Sequence, residues 1–181
     1  MIFSVPKINP GSFEWIQNLR KIYDPRGYDF IEPHFTFYTQ EISHQEYFKQ
    51  KLRHYLKHFG KFRFLIKKAI AVPPSVNHPS WYTFLVPEYG FLKFCEIYSY
   101  IICSMFARKY YSLFFLPHIT IGSFRKKSQC LHLTNQLNHS RIHITGFIQD
   151  ISLARVSHHH LIVLDKLELR EDSYAFIPSR Y

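Results

Sequence analysis

Cysteine is scarce in this 181-residue chain, which has only three and no Cys-x-x-Cys pair. An odd number of thiols without regular spacing argues against a disulfide framework. Cys95 and Cys103 lie eight residues apart in an apolar stretch, so we expect buried core thiols there. A reducing cytoplasm is the simplest compartment for such a protein.

Long apolar runs are also missing. The longest, at residues 91–106, is interrupted by Lys93, Glu96 and Ser99, and no run approaches the ~18 residues that span a bilayer. The first residues lack the apolar core and the small-residue cleavage site of a signal peptide. We therefore expect a soluble, cytoplasmic protein without membrane contacts.

Acidic side chains are few: 13 Asp and Glu stand against 23 Lys and Arg, for a net charge of +10. A surface this basic favours polyanions such as RNA or phosphorylated ligands, although excess charge can also serve solubility alone. Hydrophobic residues make up 46% of the chain and aromatic residues 18%. That content can offset the entropy lost on folding, so the chain is expected to fold rather than stay disordered.

The spacing of apolar residues predicts one mixed α+β domain over residues 1–181. Residues two apart alternate in predicted strands, and apolar residues three or four apart mark predicted helices. Ser12 and Ser43 are candidate N-caps, and Gly60 is a candidate helix end. Strands are predicted at 1–5, 34–38, 62–72, 81–86, 116–124, 141–148, 151–156 and 160–169, and helices at 12–23, 43–59, 88–108 and 126–137.

The two halves of the chain share a short motif. Residues 33–37 and 117–121 both read Pro-His-apolar-Thr-apolar. On a strand, residues two apart point to the same face, so each motif presents an imidazole beside a hydroxyl. The pairs are His34 with Thr36 and His118 with Thr120.

Two such strands placed together would suit phosphoryl chemistry. One imidazole can take a proton from the nucleophile while the other gives one to the leaving oxygen. The hydroxyls can hydrogen-bond the non-bridging oxygens, where negative charge must be held. Histidine fits because its pKa lies near the operating pH.

The His-x-Thr triplet by itself identifies little, because the chain contains two more, beginning at His132 and His143. His132 lies in a predicted helix, where residues two apart do not share a face. His143 lacks the preceding proline and is followed, after its threonine, by Gly146. On the residues alone, a functional pair at His34 and His118 and a set of scattered surface histidines remain equally open.

The two strand-borne His-apolar-Thr-apolar tetrads resemble those of the 2H phosphoesterase superfamily, which includes 2′-5′ RNA ligase-like proteins and cyclic nucleotide phosphodiesterases. The resemblance extends over most of the chain, including a strand and helix before the first tetrad and a closing hairpin at residues 151–169. It implies a bilobal α+β fold with two pseudo-symmetric antiparallel sheets, outer helices and a central cleft.

The same resemblance implies a metal-independent enzyme without a nucleotide cofactor that acts on RNA ends or nucleotides. We expect the protein to be a monomer. The expected reactions are hydrolysis of a 2′,3′-cyclic phosphate, or cleavage and formation of a 2′-5′ linkage. His34 and His118 become the acid–base pair, with Thr36 and Thr120 as phosphate ligands. His118 is the preferred base, although reversing the reaction exchanges the two roles.

Neighbouring residues extend this hypothesis. Tyr38 shares the strand parity of His34, so it can flank the phosphate, stack on a base or simply pack at the sheet edge. Gly122 is expected to leave room for the substrate. Arg125 is a candidate substrate ligand, but related proteins often carry a basic residue at the position held here by Ser123, which weakens the case for ligase specificity.

Two other functions compete with this hypothesis. A non-catalytic RNA-binding module could use the basic charge and the many aromatic rings for backbone attraction and stacking. A metal-dependent hydrolase could use the surplus histidines, including the run at residues 158–160. Three consecutive residues of a regular strand cannot converge on one ion, so we expect no metal there.

Overall fold

In the computed structural model, the described part of the chain comprises residues 1–39, 45–76, 79–106, 115–157 and 160–171. It contains nine strands and five helices. In chain order these are β1 (Ile2–Ser4), β2 (Lys7–Ile8), α1 (Pro10–Tyr23), α2 (Pro25–Phe30), β3 (Phe35–Tyr38), α3 (Gln45–Leu56), β4 (Phe62–Val72), β5 (Trp81–Tyr89), α4 (Phe91–Phe106), β6 (Ile119–Phe124), α5 (Lys127–His139), β7 (Ile144–Ile148), β8 (Asp150–Ser157) and β9 (His160–Glu168).

The strands form two antiparallel sheets. The four-stranded sheet has the order β3-β1-β8-β9, and the five-stranded sheet has the order β2-β7-β4-β5-β6. The N-terminal segment joins both, because β1 pairs with β3 and β8 while β2 pairs with β7. The predicted bilobal α+β class with two antiparallel sheets is confirmed.

One apolar core connects the sheets. It includes Phe35 and Ile151 from the four-stranded sheet and Phe64 and Ile144 from the five-stranded sheet. Each strand contributes alternate residues to this core, as the burial of β7 illustrates, where every second residue is buried. The shared core therefore holds β3 and β6, which carry the two tetrads, in one folded unit.

Most predicted elements are confirmed, with small differences at their ends. The cap of α1 is Asn9, whose side chain accepts a hydrogen bond from the Ser12 backbone N–H at 2.8 Å, so the prediction of Ser12 as the cap is wrong. The short helix α2, which begins at Pro25 directly after the Asp24 C-cap of α1, was not predicted. Strand β2 was also missed, since two residues are too short to show a period. Ser43 lies outside the described residues.

The length and hydropathy of the helices determine whether any of them could cross a membrane. Within the described ranges, no helix combines the length and the apolar character that crossing a bilayer requires.

Candidate functional site

His34 lies immediately before β3, at one edge of the four-stranded sheet. Its Nδ1 is 2.8 Å from the Glu32 carbonyl oxygen. The preceding Pro33 is buried, and the imidazole packs edge-on against the buried Phe3 ring, with centroids 5.8 Å apart. A proline anchor, a backbone hydrogen bond and a ring contact therefore orient this imidazole.

His118 occupies the matching place before β6, at one edge of the five-stranded sheet. Its Nδ1 is 2.7 Å from the Leu116 carbonyl oxygen, and Pro117 before it is buried. The imidazole stacks on the Phe84 ring of the neighbouring β5, with centroids 3.7 Å apart and planes inclined by 19°. The local geometry of the first tetrad is thus repeated in the second sheet.

Both imidazoles make the same kind of hydrogen bond, and this bond determines which ring nitrogen carries the proton. A carbonyl oxygen only accepts, so Nδ1 carries a proton in both His34 and His118. The other ring nitrogen, Nε2, can then either take or give a proton. Each ring is held by a hydrogen bond to the carbonyl two positions earlier, on the residue just before the shared proline.

The surroundings of His34 lower its pKa from 6.5 to about 4. Burial is the largest cause, because it penalises the charged imidazolium. The hydrogen bond to Glu32 opposes the shift, while the positive charges of Arg20 and His118 add to it. His34 is therefore neutral at pH 7, and His118 lies close enough for its charge to be felt.

This shift makes folding stability depend on pH. Between pH 6.5 and about 4 the unfolded chain binds a proton at His34 that the folded chain does not. The stabilising contribution of neutral His34 is therefore fully present above pH 6.5. It is lost as the pH falls through this window. We expect the free energy of unfolding of the wild type to fall more between pH 7 and 4.5 than that of His34→Asn, as measured by urea titration. Parallel profiles of the two proteins would contradict the lowered pKa.

A cavity of about 210 Å³ opens beside His34. It brings His34 together with Thr120, so the two tetrads meet at this point. Residues from α1, α2, the segment after α2, β5 and β6 line it: Arg20, Asp24, Gly27, Phe30, Ile31, His34, Tyr82, Ile119 and Thr120.

The other predicted site residues do not line this cavity. Thr36 and His118 are half-buried neighbours on the same two edges. Tyr38 is half-buried and packs against the apolar core, as its packing alternative predicted. Arg125 is exposed between β6 and α5. Substrate contact by Tyr38 or Arg125 remains a prediction.

The two additional His-x-Thr triplets lie elsewhere. His132 is exposed on α5, and His143 is exposed just before β7, an inner strand of its sheet. His118 is the histidine whose charge acts on His34. The choice of His118 rather than His132 or His143 as the partner of His34 remains a prediction.

Gly122 does not have the place that was expected for it. It is buried, and a Cβ at this position would lie 2.6 Å from Phe124 Cε2 and 3.1 Å from Tyr23 Cβ. The missing side chain makes room for α1 to pack on β6, not for a substrate. The expectation of an open approach at Gly122 is therefore wrong.

Several cavity residues were not found by sequence reasoning. Arg20 lies within the predicted helix 12–23, whose apolar residues were expected to face the core, and Asp24 directly follows that helix as its C-cap. Tyr82 and Phe84 stack on one another along β5, at 5.6 Å between centroids, and lead from the cavity to the His118 ring. Their alternation was visible in the sequence, but the sequence did not show which side chains they contact.

Metal ligands do not cluster in the described part of the chain, where no group of three His, Cys, Asp or Glu side chains could hold an ion. His158 and His159 of the histidine run lie outside the described residues. Their neighbours Ser157 and His160 pair across the β8–β9 hairpin.

Comparison with solved structures finds the same fold in another protein. The crystal structure of TT0787 of Thermus thermophilus matches with a TM-score of 0.53, over 95% of this chain and 100% of that chain, at 17% sequence identity. At this identity the likeness concerns the fold alone. No protein-family model and no curated protein matches the sequence.

Proposed function

We propose that this protein is a metal-independent phosphoesterase that opens 2′,3′-cyclic phosphates at RNA ends or in nucleotides, with His34 and His118 as its acid–base pair. The observation that supports this most is the repeated geometry of the two imidazoles. Each follows a buried proline, donates Nδ1–H to the carbonyl two residues earlier, and immediately precedes an edge strand. Two imidazoles whose Nε2 atoms can take and give protons are what acid–base catalysis requires.

The lowered pKa of His34 supports a division of roles. A neutral imidazole at pH 7 can take a proton, so His34 acts as the base and His118 as the acid. This reverses the preference that the sequence suggested. The assignment holds for the ring-opening direction and is exchanged when the reaction runs backward.

The proposed step is hydrolysis of one ester bond of the cyclic phosphate. A water oxygen bonds to phosphorus as His34 Nε2 takes the water's proton. The bond from phosphorus to one ribose oxygen breaks, and His118 Nε2 protonates that oxygen. Thr120, in the cavity wall, and Thr36 would donate hydrogen bonds to the non-bridging oxygens as their charge grows. Exchange of protons with solvent restores both rings.

The substrate class follows from charge and cavity size. The net charge of +10 attracts phosphodiesters. At about 210 Å³ the cavity is smaller than the ~300–1,000 Å³ of a typical drug-sized ligand pocket, which suits one phosphate with its ribose edge rather than a folded RNA. The remaining RNA would lie on the exposed surface, where Arg125 is a candidate contact.

The test is turnover in the presence of chelator. The purified protein is incubated with EDTA and either a nucleoside 2′,3′-cyclic phosphate or a 2′-5′-linked dinucleotide, and products are separated by chromatography. We expect ring opening of the cyclic phosphate to a monophosphate. Absence of turnover with both substrates would reject the proposed function, and RNA binding without turnover would favour a non-catalytic module. Turnover that EDTA abolishes would favour a metal-dependent hydrolase.

A further inference from the structure

Arg20 is buried in a way that charged side chains rarely are. It is only 2% exposed and is among the largest fully buried side chains of the described chain. Burial of a guanidinium is costly unless its N–H groups are satisfied. Nη1 donates to Gln17 Oε1 at 3.0 Å, and Nη2 donates to the carbonyls of Gly27 and Ile31, both at 2.7 Å. Nε is buried with no partner in the described structure.

The two carbonyls belong to the short segment after α1, which consists of helix α2 and its C-cap Ile31. Helix α2 has six residues, none of them buried, and its N-cap makes no side-chain hydrogen bond. A helix this short is not stable by itself. Arg20 bonds to Gly27 within α2 and to Ile31, the residue that caps its C-terminal end. The guanidinium therefore secures α2 against α1 at both points.

The secured segment leads directly to His34. Ile31 is followed by Glu32, whose carbonyl accepts the His34 Nδ1–H, and by the buried Pro33. A shift of Ile31 would move the Glu32 carbonyl and so turn the imidazole. Misplacement of a catalytic group by about 1 Å can lower the rate about 10²-fold.

We propose that Arg20 is a positioning residue, which fixes the Gly27–Ile31 segment through its forked hydrogen bonds and thereby orients the His34 imidazole toward the cavity. The catalytic consequence rests on the proposed function. The structural consequence does not, because the orientation of His34 can be measured without substrate.

To position the Gly27–Ile31 segment, Arg20 needs the planar guanidinium that reaches several acceptors at once, and a positive charge alone is not enough. A lysine is a flexible point charge without the planar geometry that reaches several acceptors at once. A methionine would fill similar space without leaving a buried donor unpaired, so it would suit an Arg20 that only filled the core. Arg20→Lys therefore distinguishes positioning from charge, and Arg20→Met distinguishes positioning from packing.

The pKa of His34 also depends on the charged groups packed around its ring. Arg20 and Asp24 face the same cavity from the end of α1, and His118 approaches from before β6. Tyr82 of β5 completes the cavity wall, while Phe3 of β1 covers the ring. The Glu32 side chain is exposed. Asp24 lies over Gly27, and burial raises the pKa of its carboxyl.

The experiment compares wild type, Arg20→Lys, Arg20→Met and Arg26→Met as an exposed control on α2. NMR titration of the His34 ring, without substrate, follows its pKa and its Nδ1 proton, while steady-state kinetics gives kcat and KM for the cyclic phosphate. We expect both Arg20 variants to loosen the Nδ1 hydrogen bond and lower kcat by about 10–100-fold with little change in KM. Arg20→Met also removes a charge, so the pKa of His34 should rise toward 6.5. Arg26→Met should behave as the wild type.

Folded Arg20 variants with an unchanged His34 proton and unchanged kcat would overturn the proposal, and so would a purely KM effect. If Arg20→Met does not fold, Arg20→Lys decides. If neither folds, the wild type decides: separate, slowly exchanging Nη proton signals for Arg20 support the forked clamp, and one averaged signal refutes it. A wild type without turnover would reject the proposed function, while the NMR measurements would still test the clamp.

Discussion

Replacing His118 with asparagine is expected to lower kcat for the cyclic phosphate by about 10²–10⁴-fold, the usual contribution of one acid–base group. Asparagine can still donate to the Leu116 carbonyl, but it has no ring nitrogen that exchanges protons with the substrate. His34→Asn should lose a similar factor. Because the two rings act in one transition state, the double variant should lose less than the product of the single losses.

The matched controls come from the remaining His-x-Thr triplets. His132→Asn and His143→Asn change exposed histidines on α5 and before β7. Both should retain wild-type kcat, and circular dichroism should show that all variants are folded. A loss confined to His143→Asn, or equal activity of all four single variants, would contradict the assignment of the pair.

Phe94→Ala is expected to cause the largest loss of stability, about 3–5 kcal/mol, as deletion of a buried phenylalanine ring usually does. Phe94 of α4 is fully buried, and its ring contacts Phe35 at 4.3 Å and Phe62 at 5.0 Å between centroids. It also contacts Phe37 and Phe64. The ring therefore fills the space between β3 and β4, which belong to different sheets.

The comparison uses another apolar residue of the same helix. Leu92 is 81% exposed, so Leu92→Ala should change the free energy of unfolding by at most about 0.5 kcal/mol. Urea titration of both variants gives the two values. Similar values for Phe94→Ala and Leu92→Ala would contradict the packing of α4. Because Phe35 and Phe37 flank Thr36, a partly folded Phe94→Ala protein should also lose activity.

Local features of the site were predictable from the sequence. The alternation in each tetrad places His and Thr on one strand face and the apolar residues in the core, as the buried Phe35 and Ile119 confirm. The hydrogen bond from each Nδ1 spans only two residues, so its geometry follows from the local chain. The α+β class followed from the order of elements for the same reason: each element shows its own period.

Contacts between distant segments were decided by the tertiary structure. Gly122 illustrates this, because its strand parity suggested an open approach, whereas the packing of α1 on β6 places Tyr23 beside it. Arg20 is the clearest case, since a helical pattern cannot tell that one charged residue will be enclosed by α2. Periodicity determines which side of an element a residue occupies, but burial and pKa depend on which other element covers that side, and that is fixed only when the whole chain packs.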